Sequence, residues 1–374
     1  MHRLRIVNSD SSRSVGAPQA ELSFQAAILP GVSRTFALTI PVLPDDLAEV
    51  VANAYLLCRL ADTIEDDIGL EDVAKTAFHD RLVAVVRGET DAESFAQALL
   101  PLLSERTLAA ERELVSNAAK VIRVTHSFSA NDQQAIINCL SRMCAGMPEF
   151  QRHRNLGGLT DLNDLSEYCY VVAGVVGEML TELFCEHCPT IAGKRQELMR
   201  LAPSFGQGLQ MTNILKDVWE DRRADTCWLP RCVFGKSFDL AQLDELYVTA
   251  EYRRGIEELT GIAHHHLRNA LEYALHLPAS ETGMRRFCLW AIGFAVLTLR
   301  KVQKHCDFKR GERVKISRRS VRAAVVTVNL SSRSDWALRS LFDLAATGLP
   351  LVAGESLNRS SYELSRREPD ASRA

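Results

Sequence analysis

Two short acidic motifs carry the side chains best suited to chemistry. The first is DTIEDD at residues 62–67, whose carboxylates include a set spaced i, i+3 and i+4, and such residues share one face of a helix. The second, DVWED at residues 217–221, repeats that spacing. Mg²⁺ takes a few carboxylate oxygens together with water and phosphate oxygens. The sequence therefore predicts two Mg²⁺ sites, formed by Asp62, Glu65 and Asp66 and by Asp217, Glu220 and Asp221.

The residues before each motif extend its polar stripe. One isolated acidic triplet is more often a solvated helix face than a site, so the context decides. Tyr55 and Arg59 continue the first stripe, and the second is preceded by Gln210, Asn213 and Lys216 in otherwise apolar sequence. Polar stripes on apolar helices are costly unless they face a cavity with partners. Two stripes on one cavity predict a metal-bridged diphosphate site, in which Mg²⁺ neutralises the leaving group and apolar walls keep water from a carbocation.

The surrounding periodicity predicts an all-α fold. Apolar residues recur at three- and four-residue spacing from Leu47 to Ala61, and Pro44 with Asp45 supplies a helix start. Alternation with a period of two is rare, RVKIS at 313–317 being the exception. Ser129 and Asp132 form a capping box. Further helices are predicted at 71–88, 107–126, 132–150, 162–187, 197–221, 239–276 and 279–305. We expect one domain at 21–350, a flexible N-terminus at 1–20 and a polar C-terminal tail at 351–374.

Composition limits the partners and the location. The formal net charge of −3 gives no reason to expect nucleic acid as a partner. Ten Lys and Arg side chains between Arg300 and Arg322 form a basic cluster that should attract anions, in a cofactor or at a membrane surface. The ten cysteines are scattered, unlike a secreted disulfide framework, and no segment resembles a signal peptide or a transmembrane span. We expect a cytoplasmic protein, soluble or in peripheral contact with a membrane, of undetermined oligomeric state.

Two other patterns resemble metal ligands. An outline of zinc spacing is given by Cys185, His187, Cys188, Cys227 and Cys232. Cys185 continues the apolar pattern of its helix, however, and the second cysteine pair has the wrong spacing. Three consecutive histidines stand at 264–266, but consecutive residues on a helix point in different directions. We interpret them as a solvated face rather than as ligands.

Five ordered motifs give the chain a specific resemblance to a known family. They are SRTF at 33–36, YLLCR at 55–59 with DTIEDD, YCYVVAG at 168–174 with Gly177, NILKDVWED at 213–221 and WLP at 228–230. Over residues 25–330 the chain resembles the squalene and phytoene synthases, which join two prenyl diphosphates head to head. The resemblance implies an all-α isoprenoid synthase fold around a central apolar channel, with Mg²⁺ and diphosphate at both acidic motifs.

The resemblance also implies roles for individual side chains. Ser33 and Arg34 would lie on a flap over the site, and Gly174 and Gly177 would let helices or prenyl chains approach closely. The implied catalytic residues are Tyr55, Tyr168 and Tyr170. The implied substrate ligands are Ser33, Arg34, Phe36, Arg59, Gln210, Asn213 and Lys216. The implied cofactor ligands are Arg34, Arg59, Lys216, Lys315 and Arg318.

Two stretches indicate the branch of the family. DTIEDD resembles the squalene synthase form of the first motif, and residues 308–318 resemble the basic segment that holds NADPH. The resemblance therefore implies that two farnesyl diphosphates condense through presqualene diphosphate, and that NADPH-dependent reduction then gives squalene. It is nearest to the bacterial form, which lacks the membrane anchor of eukaryotic squalene synthases.

Three positions depart from the family pattern. Val171 stands where a tyrosine usually precedes Val-Ala-Gly, so Tyr168, Tyr170 or the diphosphate itself would handle the proton. Lys216 replaces an arginine and loses its two-pronged hydrogen bonding, and Ser317 interrupts an expected basic pair. An unreduced product therefore stays open: presqualene diphosphate, dehydrosqualene or phytoene. So does a role from another class, that of a non-catalytic relative acting in assembly or lipid carriage.

Overall fold

The computed structural model describes residues 19–151, 155–236, 238–243 and 249–352. Within these ranges the regular elements are helices, apart from one isolated parallel bridge between Leu159 and Pro230. The prediction of an all-α fold is thereby confirmed. The predicted flexible terminus at 1–20 lies outside the described residues except for its last two, and the predicted tail at 351–374 lies outside them from residue 353 onward.

The helices follow one another with short connections. In chain order they are α1 Gln19–Val32, α2 Phe36–Thr39, α3 Asp45–Asp66, α4 Asp72–Val86, α5 Ala92–Leu99, α6 Ala109–Ser116, α7 Ala118–Thr125, α8 Ala130–Gln151, α9 Leu162–Cys169, α10 Val175–His187, α11 Pro189–Ala192, α12 Arg195–Arg223, α13 Ala250–His276, α14 Thr282–Lys304, α15 Arg318–Ser331 and α16 Asp335–Ala345. A π-helical segment, Tyr170–Gly174, joins α9 to α10 without a break.

Most of the predicted helices are confirmed, and two need correction. The prediction at 107–126 becomes two helices, because the backbone at Asn117 leaves helical geometry (φ −112°, ψ 19°). The prediction at 239–276 starts too early: a short 3₁₀ turn spans Leu240–Gln242, and α13 starts after Thr249, whose side chain accepts a hydrogen bond from the Tyr252 N–H. Apolar spacing persists before Thr249, but the cap determines where the helix starts.

Local capping explains other boundaries. Ser129 Oγ accepts from the Asp132 N–H at 3.1 Å and donates to Asp132 Oδ2 at 2.8 Å, so the predicted capping box is present before α8. The alternating stretch at 313–317 is not a strand: it begins with the last residue of a 3₁₀ turn, Gly311–Arg313, and ends at Ser317, which caps α15 by accepting from the Ser320 N–H. A serine interrupts the basic sequence there because the helix needs a cap.

The two helices that carry the acidic motifs are held by shared neighbours. α12 packs against α10, α13 and α14, while α3 packs against α8 and α10. Leucines at 47, 56, 57 and 60 of α3 are fully buried, each contributing about 1.5–3 kcal/mol of hydrophobic stabilisation. Because α10 contacts both α3 and α12, it sets the distance between the two motifs.

Glycines allow the backbones of α10 and α12 to touch. A Cβ at Gly177 would lie 2.1 Å from the Ala202 carbonyl oxygen, and one at Gly206 would lie 1.9 Å from that of Ala173. No side chain fits at either distance. We call these two contacts the glycine seam. The expected close approach at Gly177 is therefore present.

Two helical stretches are long and apolar enough to cross a membrane. They are Leu162–His187 and Thr282–Lys304, and 67% and 72% of their apolar windows are buried inside the bundle. Core helices of soluble proteins share this composition, so length and hydropathy alone do not make either one a span.

Candidate active site

The first acidic motif ends α3, with Asp62 beside an arginine. Arg59 Nη1 lies 3.6 Å from Asp62 Oδ2 and 3.9 Å from Glu111 Oε1, at the start of α6. Burial raises the pKa of Asp62, Arg59 lowers it, and Asp66 and Glu111 raise it further, to about 6. Asp62, Asp66 and Glu111 therefore form an acidic group from two helices that Arg59 neutralises only in part.

Glu65 is a buried carboxylate of the motif. Its side chain is 5% exposed, and its Oε1 has no hydrogen-bond partner among the described residues. Burial, then Asp66 and Asp62, raise the pKa of Glu65 well above its usual range. The buried Lys75 ammonium donates to the Glu65 backbone carbonyl and lowers that pKa only slightly. A carboxylate in this setting lacks a cation.

Asp67, the last residue of DTIEDD, has a structural role. Its carboxylate accepts hydrogen bonds from the backbone N–H groups of Gly69 (2.7 Å) and Ser104 (3.0 Å) and from the Thr107 hydroxyl. Burial would raise its pKa, but these bonds outweigh burial and lower it. Asp67 therefore fixes the loop after α3 to the segment before α6.

Residues of the predicted flap lie over the first stripe. Tyr55 Oη donates to the Val32 carbonyl at 3.2 Å and accepts from Arg59 Nη2 at 2.9 Å. The Phe36 ring packs on Tyr55 with centroids 4.9 Å apart. Ser33 Oγ accepts from the Phe36 N–H at 3.1 Å, which fixes the turn into α2, and Arg34 is exposed. Tyr55 thus links the flap to the arginine of the acidic motif.

The second motif lies near the end of α12. Lys216 Nζ lies 2.9 Å from Asp217 Oδ2 and 3.2 Å from Asn213 Oδ1. Burial raises the pKa of Asp217, and Lys216 lowers it. Gln210, Glu220 and Asp221 are half-buried on the same helix. The polar stripe predicted from Gln210 to Asp221 therefore exists, and Lys216 supplies its positive charge.

Glu220 connects the second motif to the basic segment. Its Oε1 accepts a hydrogen bond from the Gly311 N–H at 2.9 Å, while its Oε2 has no partner among the described residues. Farther along, Lys315 is close enough to Asp217 to lower its pKa. Lys315 and Arg318 are both exposed. The basic segment is thus fixed beside the second motif, with the Lys315 and Arg318 side chains open to solvent.

Tyr168 shows that both motifs meet at one place. It is 5% exposed, and burial raises its pKa well above the usual value, with additional contributions from Glu65, Asp66 and Asp221. Its ring stacks on Trp228 with centroids 4.0 Å apart and an interplanar angle of 9°. Charges from both acidic motifs therefore act on this one phenol.

Tyr170 belongs to a separate network. Its hydroxyl donates to Glu178 Oε1 at 3.0 Å and accepts from Arg142, which also pairs with Glu178. Val171 packs against Gly146 of α8, where a Cβ would come within 2.6 Å of it. The π-helical segment thus directs Tyr170 and Val171 toward α8, whereas Tyr168 is the tyrosine near the carboxylates.

The alternative metal patterns are resolved by side-chain partners. His187 Nε2 lies 3.3 Å from Asp132 Oδ1, as an ion pair between α10 and α8. The interpretation of residues 264–266 as a solvated face is wrong: His264 and His266 are buried and lie within hydrogen-bond distance of the Pro350 carbonyl and the Ser204 hydroxyl. The helix turns both inward, where satisfied polar partners permit burial.

The carboxylates fit Mg²⁺ as a shared site. In the part of the chain that the structure describes, no three His, Cys, Asp or Glu side chains lie close enough to hold a metal by themselves. The unpartnered oxygen of Glu65 and the raised pKa values of Asp62 and Asp217 nevertheless indicate missing positive charge. Mg²⁺ keeps several water or phosphate oxygens and needs only one or two carboxylates, so these groups fit an ion that a diphosphate also binds.

Sequence reasoning missed two parts of the site. Glu111 comes from α6 and Lys75 from α4, and neither belongs to a pattern around the acidic motifs. Only the packing of α4 and α6 against α3 places them there. Trp228 was found through its WLP motif, although its stacking on Tyr168 was not predicted.

Comparison with known families identifies this arrangement. The model of the squalene/phytoene synthase family matches residues 29–320. The chain belongs to the squalene/phytoene synthase family. A family member from Cyberlindnera jadinii, a squalene synthase, is 27% identical over 329 residues, covering 82% of this chain and 69% of that protein.

Solved structures of the squalene/phytoene synthase family share the fold. TcSQS with the ligand E5700 aligns with a TM-score of 0.68 and 22% identity, covering 93% of this chain and 97% of that one. A dehydrosqualene synthase with a ligand aligns with a TM-score of 0.63 and 19% identity, covering 84% and 98%. The chain spans between 48% and 71% of the length of the curated relatives that it matches.

Proposed function

We propose that the protein is a squalene synthase: it condenses two farnesyl diphosphates head to head through presqualene diphosphate and forms squalene with NADPH. The observation that carries the proposal is the effect of both acidic motifs on Tyr168. A site for two diphosphates needs two acidic groups that face one space, and separate surface motifs would not act on one buried phenol. The squalene synthases among its relatives support the choice of substrate.

The diphosphates are held by residues of both long helices. Bound Mg²⁺ supplies positive charge that stabilises the departing diphosphate. We assign its binding to Asp62, Glu65 and Asp66 on α3 and to Asp217 and Asp221 on α12, with Glu220 also fixing Gly311. Arg59 and Lys216 already lie beside the first aspartate of each motif, so they orient the diphosphate oxygens. Asn213, Gln210 and the flap residues Ser33, Arg34 and Phe36 complete the substrate contacts.

Tyr168 is the residue that we assign to proton transfer. It is buried, so it stays protonated at neutral pH and can donate a hydrogen bond to a diphosphate oxygen or shuttle the proton that the condensation releases. Stacking on Trp228 fixes the plane of its ring. Tyr55 positions Arg59 through a hydrogen bond, and Tyr170 positions the π-helical segment.

The reduction is assigned to the basic segment. NADPH supplies the hydride that converts the rearranged cation into squalene. Lys315 and Arg318 are exposed beside Asp217 and at the start of α15, where fixed cations and a helix N-terminus favour a phosphate group. We also assign Arg34, Arg59 and Lys216 to the binding of these anions.

Incubation with farnesyl diphosphate and Mg²⁺, with and without NADPH, tests the proposal. We expect release of diphosphate in both cases and squalene only with NADPH, identified by mass spectrometry. Asp62→Asn and Asp217→Asn should each lower diphosphate release by about 100-fold or more, because several kcal/mol of charge stabilisation are lost. Asp225→Asn is the matched control, since Asp225 is exposed at a positive φ that asparagine also tolerates.

The same assay decides between the alternatives. Dehydrosqualene or phytoene in the presence of NADPH, or accumulation of presqualene diphosphate, would assign the chain to the branch without reduction, as Val171 permits. Full diphosphate release by both aspartate variants would exclude the site. No release by the wild type would favour a non-catalytic role in assembly or lipid carriage.

A cytoplasmic location, soluble or peripheral, accompanies the proposal, and the ten cysteines are free thiols, as a reducing compartment requires.

A further inference from the structure

The last two described helices carry an exposed stripe that the proposed chemistry does not use. On α15, Arg319, Arg322, Val326 and Leu330 follow one another at spacings of three and four, so they share one face. Val326 is 56% and Leu330 84% exposed, and Trp336 at the start of α16 is 79% exposed. We call these five residues the α15–α16 face. Large apolar side chains rarely remain this exposed in one place without a partner.

The charge on this face has a single sign. α15 has no acidic residue. The two aspartates of α16 are paired with arginines of the bundle: Asp335 lies 2.7 Å from the buried Arg285, and Asp343 lies 3.0 Å from Arg268, although both carboxylates remain exposed. The arginines of the face, by contrast, form no ion pair with the described residues. The face therefore presents cations at one end and apolar side chains at the other.

We propose that the α15–α16 face docks the protein on the surface of an anionic membrane. Arginines attract the headgroups, while Val326, Leu330 and Trp336 enter the boundary between headgroups and acyl chains, as on amphipathic helices that lie in the interface. Tryptophan is enriched at this depth. A second copy of the chain fits less well, because it would bring cations toward cations with no acidic residue of α15 to separate them.

Docking here has a consequence for the reaction. α15 follows Lys315 directly, and Gly311 is fixed to Glu220 of the second motif. The docked face therefore lies next to the segment that borders the diphosphate site. This step rests on the proposed function, since it places a site for prenyl substrates and a hydrocarbon product beside lipid. Membrane binding itself does not depend on that function.

Sedimentation of the full chain with lipid vesicles tests the inference. We expect binding to phosphatidylcholine vesicles with about 30% phosphatidylglycerol, and little binding to phosphatidylcholine alone, because each basic residue near an anionic surface contributes about 1 kcal/mol. The double variant Arg319→Gln/Arg322→Gln should bind about 25-fold more weakly, at about fivefold per arginine. Leu330→Ser/Trp336→Ser should bind at least about tenfold more weakly.

Matched controls separate docking from general effects of charge and hydrophobicity. Val73→Ser removes an apolar side chain that is 82% exposed on α4, and Arg106→Gln removes an exposed cation before α6. Both should bind like the wild type. Trp336 also gives a direct signal: its fluorescence should shift to the blue on vesicle binding, since Trp219 and Trp290 are already buried and the half-buried Trp228 is stacked on Tyr168. Trp336→Phe should bind without that shift.

Several outcomes would overturn the inference. The first is that the wild type does not bind the vesicles. The second is that the variants of the face bind as tightly as the controls. The third is that the wild type forms a concentration-dependent dimer, which Leu330→Ser/Trp336→Ser converts to monomers. Binding only after removal of residues 353–374 would mean that this segment covers the face. Activity is measured separately in detergent: a wild type that releases diphosphate fully but does not bind vesicles refutes docking, whereas a wild type that binds vesicles but releases no diphosphate refutes the proposed function.

Discussion

Burial gives chemically similar carboxylates different properties at this site. Glu65 and Asp67 stand two residues apart in one acidic run, yet the pKa of Glu65 is raised and that of Asp67 is lowered. Burial and the neighbouring Asp66 and Asp62 raise the pKa of Glu65, and its Oε1 has no hydrogen-bond partner among the described residues, whereas at Asp67 several accepted hydrogen bonds outweigh burial. Only Glu65 therefore gains from a bound cation, and Asp67 serves the loop.

Tyr168→Phe tests the assignment of the phenol. Phenylalanine keeps the stacking on Trp228 and removes only the hydroxyl, so the fold should stay intact. We expect product formation to fall by about 10²–10⁴-fold, the usual contribution of a positioned proton donor or acceptor. Steady-state kinetics with hydrocarbon analysis gives the measurement.

Tyr170→Phe is the comparison for that experiment. It removes a hydroxyl from the network with Arg142 and Glu178, so it should lower the thermal midpoint and change product formation far less than Tyr168→Phe. A larger kinetic loss at Tyr170 would move the proton-transfer role to that residue.

At the residue scale, local spacing predicted the site only where one helix supplies it. Asp62, Glu65 and Asp66 could be grouped because a single helical turn carries them. Glu111 could not, because its place beside Arg59 depends on how α6 packs against α3. The burial of His264 and His266 was missed for the same reason: their partners, at Pro350 and Ser204, come from distant parts of the chain.

At the scale of elements, the contact between Glu220 and Gly311 joins α12 to the basic segment. A Cβ at Gly311 would lie 2.7 Å from Glu220 Oε1, so in Gly311→Ala the hydrogen bond between the Gly311 N–H and the Glu220 carboxylate should be lost and the segment released from α12. We expect a higher KM for NADPH and a smaller effect on diphosphate release from farnesyl diphosphate. The two assays, run on one protein preparation, distinguish this local effect from unfolding.

Gly235→Ala serves as the control for adding a methyl group, although its positive φ of 87° adds backbone strain. Nothing lies within 4 Å of a Cβ there, so KM for NADPH should not change even if stability falls. Equal KM values for the wild type and Gly311→Ala would show that the segment does not hold the cofactor.

A second contact between elements predicts a dependence of stability on pH. Asp132, whose Oδ1 lies 3.3 Å from His187 Nε2, raises the pKa of His187 above its usual value of about 6.5. The folded state thus binds more protons than the unfolded state between these two pKa values. The stabilisation is complete below the unfolded pKa and is lost as pH rises through the folded pKa. Urea unfolding of the wild type and His187→Gln at about pH 6 and pH 9 measures this.

The expected result is a difference that shrinks with pH. The wild type should exceed His187→Gln in free energy of unfolding at low pH by more than it does at high pH. A constant difference would mean that His187 stabilises the contact between α8 and α10 through packing alone.

Element boundaries followed the sequence where caps were recognisable. Ser129 with Asp132 and Pro44 with Asp45 marked the starts of α8 and α3 correctly. The start of α13 was missed because apolar spacing continued upstream of Thr249. The helices α1, α5, α15 and α16 were not predicted, and the burial of α16 depends on contacts with α14 and α15. The sequence showed that Ser317 interrupts the charge pattern, but it did not show that Ser317 caps α15.

At the scale of the whole molecule, the glycine seam fixes the geometry of the two motifs. Gly206→Ala places a methyl group 1.9 Å from the Ala173 carbonyl oxygen, and only separation of α12 from the π-helical segment before α10 can relieve that contact. We expect a loss of about 1–3 kcal/mol or more in the free energy of unfolding. Denaturant titration followed by circular dichroism measures it.

Gly293→Ala is the matched control within a helix. Nothing lies within 4 Å of a Cβ at Gly293, in the interior of α14. Alanine there should stabilise the protein by about 0.5–1 kcal/mol, since it lowers the entropy of the unfolded chain and favours the helix. Similar destabilisation by both substitutions would argue against a specific contact at Gly206.

The seam also bears on how this protein can evolve. Because backbone touches backbone there, substitutions of neighbouring side chains leave the separation of α10 and α12 unchanged. Mutations can therefore reshape the space around the prenyl chains while the carboxylates keep their relative positions. Substitutions near the seam thus leave the geometry of the catalytic step unchanged. Substitutions around the prenyl chains can change the length of the hydrocarbon that is formed.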